Sequence, residues 1–557
     1  MTMAPRQAQG IPNDTVELVR AVYPEGNEYI RLRDELGEVF RDEQFGDLYV
    51  AQGQAALAPA VLAWVTVLQF KEGWSDREAA NAVRGRIDVK YLLGLELRHQ
   101  GFHHSALGAF RARLVENSAE ARLLDELLAV CRARGFVKAG GRQRTDSTPV
   151  VAAVQTLNRL ECVHETLRLA LEQVAELEPE WLQAQVPVEW YEWYGRRLDA
   201  SQMAKSAAEQ ARWQVRIGES GRQLLLAVQD VRTPAYLRQL PALRLLQCVW
   251  IQQYWVQKGR IQWRSEEQGL PPSDRFIQSP HDPEARFRTK RATKWTGYMA
   301  HLTETCDDEL PHLVVNVETT PATTGDADMT PVIHAHLADK DLLPGKHYAD
   351  SAYHSAANLL ASSRQGVDLI GPAPVDTSWQ ARRQTGFDVA SFDIDWDAQV
   401  VTCPEGKRSC TWCESTSKTR SSIRVSFARH DCAACPRRTD CVQRPDRIGK
   451  PISRPRRLQL HPQAEHLALA AARQRQQTPE FRQDYCRRAG IEGTISQDVR
   501  TCDARYSRYI GLAKTHLQQI AAAVALNLAR LADYFLPVAR PKTKRLSHFA
   551  RLAPACL

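Results

Sequence analysis

The sequence has no long hydrophobic run and no sign of a secretory signal. Its most apolar stretch, Ala55 to Leu68, is shorter than the roughly 18 residues that a membrane span needs, and Pro59 is expected to interrupt it. The segment from Met1 to Thr15 contains no apolar core of the kind that signals export. We therefore expect Ala55 to Leu68 to be a buried helix and the protein to be cytoplasmic.

The sequence also lacks the composition of a disordered chain. Of its 557 residues, 43% are hydrophobic and 25% are charged, whereas disorder needs low hydrophobicity and high net charge. A chain of this length is expected to form roughly three to four domains. The net charge of +8 permits a polyanionic partner without requiring one.

Basic residues are concentrated in three segments of the chain. A solvated face or a loose tail would explain any one of them about as well as a polyanion site does. The segments are Pro436–Arg457 with Arg437, Arg438, Arg444, Arg447, Lys450, Arg454, Arg456 and Arg457; the mid-chain cluster of Arg286, Arg288, Lys290, Arg291 and Lys294; and the tail that begins at Arg540.

The N-terminal part of the chain is predicted to be helical. Leu57, Val61 and Val65 repeat at helical spacing, and Ser75 with Glu78 has the pattern of a capping box. Short helices joined by tight turns suit a DNA-binding unit of the helix-turn-helix kind, although an ordinary helical bundle has the same pattern.

The remainder of the chain mixes strands and helices. Strands are predicted at Trp295–Glu304 and Leu310–Glu318 and a helix at Asp326–Leu337, an alternation typical of an α/β fold with a mixed sheet. From about Leu157 to Trp263 the pattern is helical and contains seven of the 13 tryptophans, for which core packing is a better explanation than base stacking. Two long helices are predicted at Gln459–Ala489 and Tyr506–Phe535.

Three acidic residues occupy positions that suit metal binding. Asp146 falls within a predicted strand, Asp350 ends a later strand, and a helix through Tyr485, Arg488 and Glu492 would place these three on one face. Two divalent ions need carboxylates that converge from several elements, and Mg²⁺ prefers such oxygen ligands. For any single acid, an exposed surface charge is the more common explanation.

Several motifs together resemble the bacterial insertion-sequence transposases of the DDE class, in the group with a Tyr-x₂-Arg-x₃-Glu signature. Each motif alone is weak, but their order and spacing are specific, and they extend over nearly the whole chain. The segments that carry the resemblance are Trp74–Ala80 and Ser105–Leu114 in the N-terminal part, Thr145–Thr148, Ser279–Phe287, Trp295–Tyr298, Tyr348–Ser355, Arg488–Ser496 and Arg505–His516.

The resemblance implies an RNase H-like catalytic core in which Asp146, Asp350 and Glu492 are catalytic and hold two Mg²⁺ or Mn²⁺ ions. It implies a nucleoid-associated enzyme that cuts DNA at the ends of its element and transfers the freed 3′-hydroxyl to target DNA, as a homodimer on paired ends. In place of the lysine that family members typically carry seven positions after the glutamate, this chain has Val499, followed by Arg500. The residues predicted to contact DNA are Tyr485, Arg488, Arg500, Arg505 and Lys514.

Six of the 13 cysteines fall between Cys403 and Cys441, which in a reducing compartment suggests zinc more than disulfides. Cys432 and Cys435 form one zinc-knuckle half, and Cys410 with Cys413 could form the other. The preferred alternative, Cys403, Cys432, Cys435 and Cys441, resembles the cysteine pattern of the transposase group. Buried or free thiols remain a third explanation.

The expected organisation has a helical insertion and a small zinc-binding insert in the catalytic core. The predicted boundaries are 1–135 for the N-terminal helical DNA-binding domain, 136–156 and 264–400 for the first part of the core, 157–263 for the helical insertion, 401–457 for the cysteine-rich basic insert, 458–540 for the helical C-terminal part of the core, and 541–557 for a basic tail. Two other functions fit the same sequence: a non-catalytic DNA-binding protein derived from a transposase, and a nuclease that cuts without joining.

Overall fold

The computed structural model describes residues 10–50, 56–154, 157–197, 206–417, 421–442 and 454–536. The predicted basic tail 541–557 and three cations of the basic segment Pro436–Arg457, namely Arg444, Arg447 and Lys450, lie outside these ranges. Within the described ranges the chain forms two compact units. One comprises Met1–Phe136, Pro311–Leu313 and Ala521–Leu557, and the other comprises Val137–Leu310 and Val314–Ile520.

The N-terminal part of the first unit is helical, as predicted. Its α-helices are α1 (Asn13–Val22), α2 (Glu28–Leu36), α3 (Pro59–Glu72), α4 (Asp76–Gly85), α5 (Ile87–Leu93), α6 (Ser105–Glu116) and α7 (Arg122–Ala133). The Ser75–Glu78 capping box at the start of α4 is confirmed, and α3 is buried along most of its length. Pro59 does divide the apolar run: the buried helix α3 begins at Pro59, where its missing N–H needs no partner, and residues 56–58 before it are not helical.

The second unit begins with strand β1 (Arg142–Val151), which is followed by a largely helical segment. This segment contains α8 (Arg159–Leu177), α9 (Pro179–Gln185), α10 (Glu189–Tyr194), α11 (Ala207–Gln229), α12 (Pro241–Gln253) and the hairpin of β2 (Tyr254–Gln257) and β3 (Arg260–Trp263). Trp190 and Trp250 are buried in its hydrophobic core, and four further tryptophans pack against that core. The packing role predicted for most of these tryptophans is confirmed.

A six-stranded mixed sheet organises the rest of the second unit. Its other strands are β4 (Arg286–Lys290), β5 (Thr293–Thr305), β6 (Val314–Pro321), β7 (Lys346–Tyr348) and β8 (Asp368–Ile370), with helices α13 (Asp326–Asp339) and α14 (Ala356–Arg364) between them in the chain. The order is β6-β5-β1-β7-β8, with β4 pairing the first residues of β5. Strand β1 is antiparallel to β5 and parallel to β7, and β7 is parallel to β8.

The cysteine-rich region forms small sheets of its own. It contains α15 (Trp379–Arg383), β9 (Asp393–Asp395), β10 (Val400–Thr402), β11 (Ser409–Thr416), β12 (Ser421–Phe427), α16 (Arg429–Ala434), α17 (Arg438–Cys441) and β13 (Arg457–Leu460). Its core is a compact cluster that includes Phe392, Val425 and Leu458. The short elements thus share one small apolar centre.

The two long helices predicted near the C-terminus are shorter and more divided. The first, predicted at Gln459–Ala489, is replaced by α18 (Gln463–Gln476), α19 (Pro479–Tyr485) and a 3₁₀ turn at Cys486–Ala489, after which α20 (Gly490–Thr501) follows. Thr478 caps α19 and Pro479 begins it, so the helix is divided where proline cannot continue it. The second, α21, runs from Leu512 to Tyr534 rather than from Tyr506. None of the helices within the described ranges is long and apolar enough to cross a membrane.

Candidate active site

Asp146 and Asp350 occupy matching positions on neighbouring strands. In the parallel pair of β1 and β7, Arg144 lies opposite Tyr348, and each acid comes two residues after that pair. Asp350 lies just past the end of β7, where its carboxylate accepts a hydrogen bond from the Ala352 amide at 2.9 Å. Burial is the main cause of the raised pKa of Asp146, and the charge of Asp350 adds to it, as expected for nearby carboxylates.

Arg488 links two of the three predicted acids. Its Nη2 donates to Oδ2 of Asp146 at 2.5 Å, and its Nη1 donates to Oε1 of Glu492 at 2.6 Å. The Asp146 side chain is 14% exposed, whereas that of Glu492 is 64% exposed. A single guanidinium therefore joins a deep carboxylate to an outer one.

Burial and neighbouring charges shift the pKa values of Asp146 and Arg488 in opposite directions. Burial raises the pKa of Asp146, and the nearby Arg488 offsets only part of that rise. Burial lowers the pKa of the Arg488 guanidinium, but Asp146, Tyr485 and Glu492 outweigh burial and raise it overall. The positive charge of Arg488 therefore lies beside Asp146, a carboxylate whose ionised form is disfavoured by burial.

The segment before Glu492 is attached to the sheet by α19. The carboxylate of Asp484 accepts hydrogen bonds from Lys346 Nζ and Tyr348 Oη on β7, both at 2.7 Å. The rings of Phe481 and Tyr485 are stacked with centroids 5.6 Å apart, and they pack against a small cluster that includes Tyr348. These contacts place Tyr485 close enough to the acids that their charges influence its pKa.

Tyr485, Arg488 and Glu492 do not share one regular helix. Tyr485 is the last residue of α19, Arg488 lies in the 3₁₀ turn, and Glu492 is in the first turn of α20. The contact expected between Arg488 and Glu492 is nevertheless present, because the helical turns follow one another without a break.

Asp326, a fourth acid that the sequence did not single out, lies beside this group. It is 5% exposed at the start of α13, and its Oδ1 accepts a hydrogen bond from Ser147 Oγ at 3.3 Å. Burial raises its pKa, and Asp350 adds to that rise. No local signal marks Asp326, because only the tertiary structure brings the start of α13 beside Ser147 of β1.

The other residues predicted to contact DNA are exposed. Arg500 and Lys514 lie at the surface of α20 and α21, and Arg505 follows α20. The carbonyl of Arg505 accepts a hydrogen bond from the Val151 amide at 2.8 Å, which attaches this segment to the end of β1. None of the three forms an ion pair with another residue that the structure describes.

The donor chemistry of the acids suits a hard cation, since all three predicted ligands offer carboxylate oxygens. They come from β1, the end of β7 and α20, three elements that are distant in sequence. Among the residues with described positions, no group of three or more His, Cys, Asp or Glu side chains is arranged closely enough to hold a metal ion. The three acids therefore suit a hard cation in the type of ligand they offer and in coming from three separate elements.

The six clustered cysteines fall into two groups. Cys403, Cys432, Cys435 and Cys441 line one cavity. Backbone amides lie near two of the sulfur atoms, with Lys407 N 3.4 Å from Cys403 Sγ and Arg456 N 3.5 Å from Cys432 Sγ. Burial raises the pKa of Cys441 to about 11. By contrast, Cys410 and Cys413 are exposed on β11 and do not line this cavity.

Several cations of the basic segment Pro436–Arg457 form hydrogen bonds and an ion pair within this cysteine-rich region. Arg456 donates to the carbonyls of Cys441 and Phe387, and Arg438 donates to that of Cys432. Arg437 pairs with Asp440. The arginines of this segment that the structure describes therefore stabilise the cysteine-rich region as well as making it basic.

Two segments of the chain match family models. Residues 402–532 match the transposase DDE domain, and residues 18–113 match the transposase domain DUF772. The first match includes Glu492, the cysteine-rich region and part of α21, while Asp146 and Asp350 lie outside it. No curated protein matches the chain. The DDE match implies an RNase H-like core, and the mixed sheet with flanking helices agrees with that implication.

Proposed function

We propose that this protein is a DNA transposase. Its sequence resembles a DDE-class insertion-sequence transposase with an N-terminal transposase domain. The protein binds the ends of its element, cleaves them with divalent metal ions, and transfers the 3′-hydroxyl ends to target DNA. One observation carries this proposal: Asp146 and Glu492, which are far apart in the chain, share the guanidinium of Arg488, with Asp350 at the matching position of the next strand.

Asp146, Asp350 and Glu492 are the residues that would hold two Mg²⁺ or Mn²⁺ ions. Such ions, when bound, activate the attacking oxygen and stabilise the departing one in phosphoryl transfer. The chain itself holds Asp146 in a rigid position, since Asp146 lies within a strand that is paired on both sides. The Glu492 side chain is exposed, where a cation and DNA can both reach it.

Arg488 has a second task in this proposal. A cation bound by Asp146 and Glu492 competes with the guanidinium for the same carboxylate oxygens. Arg488 released from them can donate to a DNA phosphate, for which its planar fork is well matched. Tyr485, held by the stacked Phe481, lies beside it as a rigid neighbour. Arg500, Arg505 and Lys514 extend the phosphate-binding surface.

The cysteine-rich insert is proposed to hold a structural zinc ion through Cys403, Cys432, Cys435 and Cys441. The support is that these four thiols line one cavity and that two of them lie near backbone amides. A closed set of four sulfur ligands leaves no open position, so its role would be to stabilise a region with only a small core.

The N-terminal helical unit is proposed to bind element ends, and the working form is proposed to be a homodimer on paired ends. Both statements rest on the resemblance to the transposase family. The segment 157–263 is proposed as an insertion in the core, which agrees with its own hydrophobic cluster.

The test uses purified full-length protein and DNA that carries the sequences flanking its gene, with Mg²⁺ or Mn²⁺. End cleavage and strand joining are measured beside Glu492→Gln and the control Glu480→Gln, which removes an exposed acid of α19. We expect wild type and the control to cut and join, and Glu492→Gln only to bind. Equal binding with no cleavage by any of the three would favour a non-catalytic DNA-binding protein, and cleavage without joining would favour a nuclease.

A further inference from the structure

A buried ion pair lies beneath the helix that carries Glu492. Arg144 on β1 and Glu304 on β5 face each other in the strand register, and Arg144 Nε donates to Glu304 Oε1 at 2.6 Å. Arg144 is 7% exposed and Glu304 is fully buried. Burying such a pair is costly unless its remaining donors and acceptors are hydrogen-bonded.

Two further polar atoms of this pair bind the segment around Glu492. Arg144 Nη1 donates to the carbonyl of Arg487 at 2.7 Å, just before the start of α20. Glu304 Oε2 accepts a hydrogen bond from Thr494 Oγ1 at 2.6 Å, one half-turn after Glu492. The ion pair therefore binds the chain on both sides of the third acid.

Gly490 provides the space for this arrangement. A Cβ atom at Gly490 would lie 1.9 Å from Arg144 Nη1, whereas a Cβ at Gly493 in the same helix would meet nothing within 4 Å. The backbone of Gly490 is helical, with φ −63° and ψ −27°, so its conformation does not require glycine. Glycine within a helix is less stable than alanine, so its presence here needs another reason. Room for the guanidinium is a physical reason for glycine at this position.

We propose that the Arg144–Glu304 pair sets the position of α20 on the sheet and thereby aligns Glu492 with Asp146. Arg144 and Asp146 are two residues apart on β1, so one rigid strand carries both the first acid and the anchor of the third. Arg144, Glu304 and Thr494 are positioning residues in this proposal, and Gly490 admits the guanidinium. The inference rests on the proposed function, because it assumes that Asp146 and Glu492 hold the same cations.

The expected effect is on metal affinity rather than on folding alone. Carboxylates that bind a common ion must be held within a fraction of an ångström, and loss of the groups that orient metal ligands typically costs about 10- to 100-fold in affinity. An added methyl group at Gly490 must displace either the guanidinium or α20. A displaced guanidinium loses its hydrogen bond to the Arg487 carbonyl, and a displaced α20 carries Glu492 with it, so we expect either change to shift Glu492 relative to Asp146.

The experiment compares Gly490→Ala with Gly493→Ala in the full-length protein. Mn²⁺ binding is measured by calorimetry and by the electron paramagnetic resonance signal of Mn²⁺, at a temperature where circular dichroism shows both variants folded. We expect Gly490→Ala to bind Mn²⁺ about 10- to 100-fold more weakly and Gly493→Ala to match wild type. Equal Mn²⁺ affinity in the two variants overturns the proposal, even if their melting temperatures differ.

A second pair keeps the test decisive if Gly490→Ala does not fold. Thr494→Val removes the hydroxyl that binds Glu304, and Thr494→Ser retains it. We expect weaker Mn²⁺ binding only in Thr494→Val, and equal affinity in these two variants overturns the proposal. The variant Glu492→Gln distinguishes failure of the proposed function from failure of the aligning role. If it binds Mn²⁺ as wild type does, Glu492 is not a metal ligand, and both proposals fail.

Discussion

At the scale of single residues, Arg488 makes the contacts that join the candidate site. Its guanidinium binds Asp146 and Glu492 at once, while its neighbour Arg487 binds Asp308 at 2.7 Å. The two arginines thus share a turn but not a role. A positive charge between two carboxylates holds them in place and also opposes the binding of a cation there.

This competition predicts opposite changes in two affinities. In Arg488→Ala, Mn²⁺ affinity should rise several-fold because a competing charge is removed, whereas DNA affinity should fall because a phosphate donor is lost. Calorimetry and fluorescence anisotropy measure the two constants. Arg487→Ala is the control and should leave the Mn²⁺ affinity near that of wild type. A loss of Mn²⁺ affinity in Arg488→Ala would contradict the competing role.

At the scale of elements, the hairpin of β4 and β5 carries the mid-chain basic cluster next to the site. Arg286 and Arg288 donate to backbone carbonyls, while Lys290, Arg291 and Lys294 are exposed near the turn and form no ion pair with any residue placed by the structure. Burial raises the pKa of Asp146 and of Asp326, and the charge of Lys290 offsets part of that rise in both. The hairpin tip is therefore suited to DNA phosphates.

Replacing Lys290, Arg291 and Lys294 together by alanine should weaken DNA binding and its salt dependence. Each lost phosphate contact reduces the slope of log affinity against log salt by about 0.9. Anisotropy titrations from low to physiological salt measure this slope. The matched control is Lys258→Ala with Arg260→Ala on the hairpin of β2 and β3. Equal slopes in the two variants would exclude a special role for the β4–β5 hairpin.

The cysteine-rich element is expected to hold about one zinc ion per chain. Cys441→Ser should lose this zinc and lower the thermal stability of the protein, since the region has only a small core. Cys410→Ser should retain it, because Cys410 is exposed and does not line the cavity. Elemental analysis of the purified variants is the measurement. Zinc retained in Cys441→Ser and lost in Cys410→Ser would identify the other set of ligands.

At the scale of the whole molecule, stability depends on histidines buried without charge. In the second unit, His334 and His347 are hydrogen-bonded to each other at 2.8 Å, and His301 binds Tyr353 at 2.7 Å. Burial lowers the pKa of His301 to about 3 and that of His334 to about 4, and it lowers the pKa of His347 as well. Above pH 6.5 these histidines are neutral in both the folded and the unfolded chain. Below it, the unfolded chain takes up protons that the folded chain excludes.

The protein should therefore lose stability as the pH falls from about 6.5 towards 4. Each such histidine contributes about 1.4 kcal/mol per pH unit in this window. Melting temperatures at pH 7.5, 6 and 5 measure the trend. His334→Gln should flatten it, while His430→Gln, which changes an exposed histidine, should not. A curve for His334→Gln that runs parallel to that of wild type would contradict the assignment.

Much of the local structure could be predicted from the sequence. The capping box at Ser75 and Glu78, the helix at Asp326 and the strands around Trp295 and Val315 depend on neighbours in the chain, and the structure confirms them. Helix ends were predicted less well, since Pro479 divides a helix that its apolar pattern alone would continue. The three acids Asp146, Asp350 and Glu492, and their expected role in metal binding, were predicted from the resemblance of short motifs to the transposase family.

Only the tertiary structure decided how these residues meet. It placed Asp326 beside Ser147, directed the buried Arg144–Glu304 pair to α20, and brought Cys403 rather than Cys410 to the cavity lined by Cys432, Cys435 and Cys441. The physical reason is that these contacts join residues far apart in the chain. Propensity, capping and periodicity act over a few residues, whereas strand pairing and burial determine which distant side chains become neighbours.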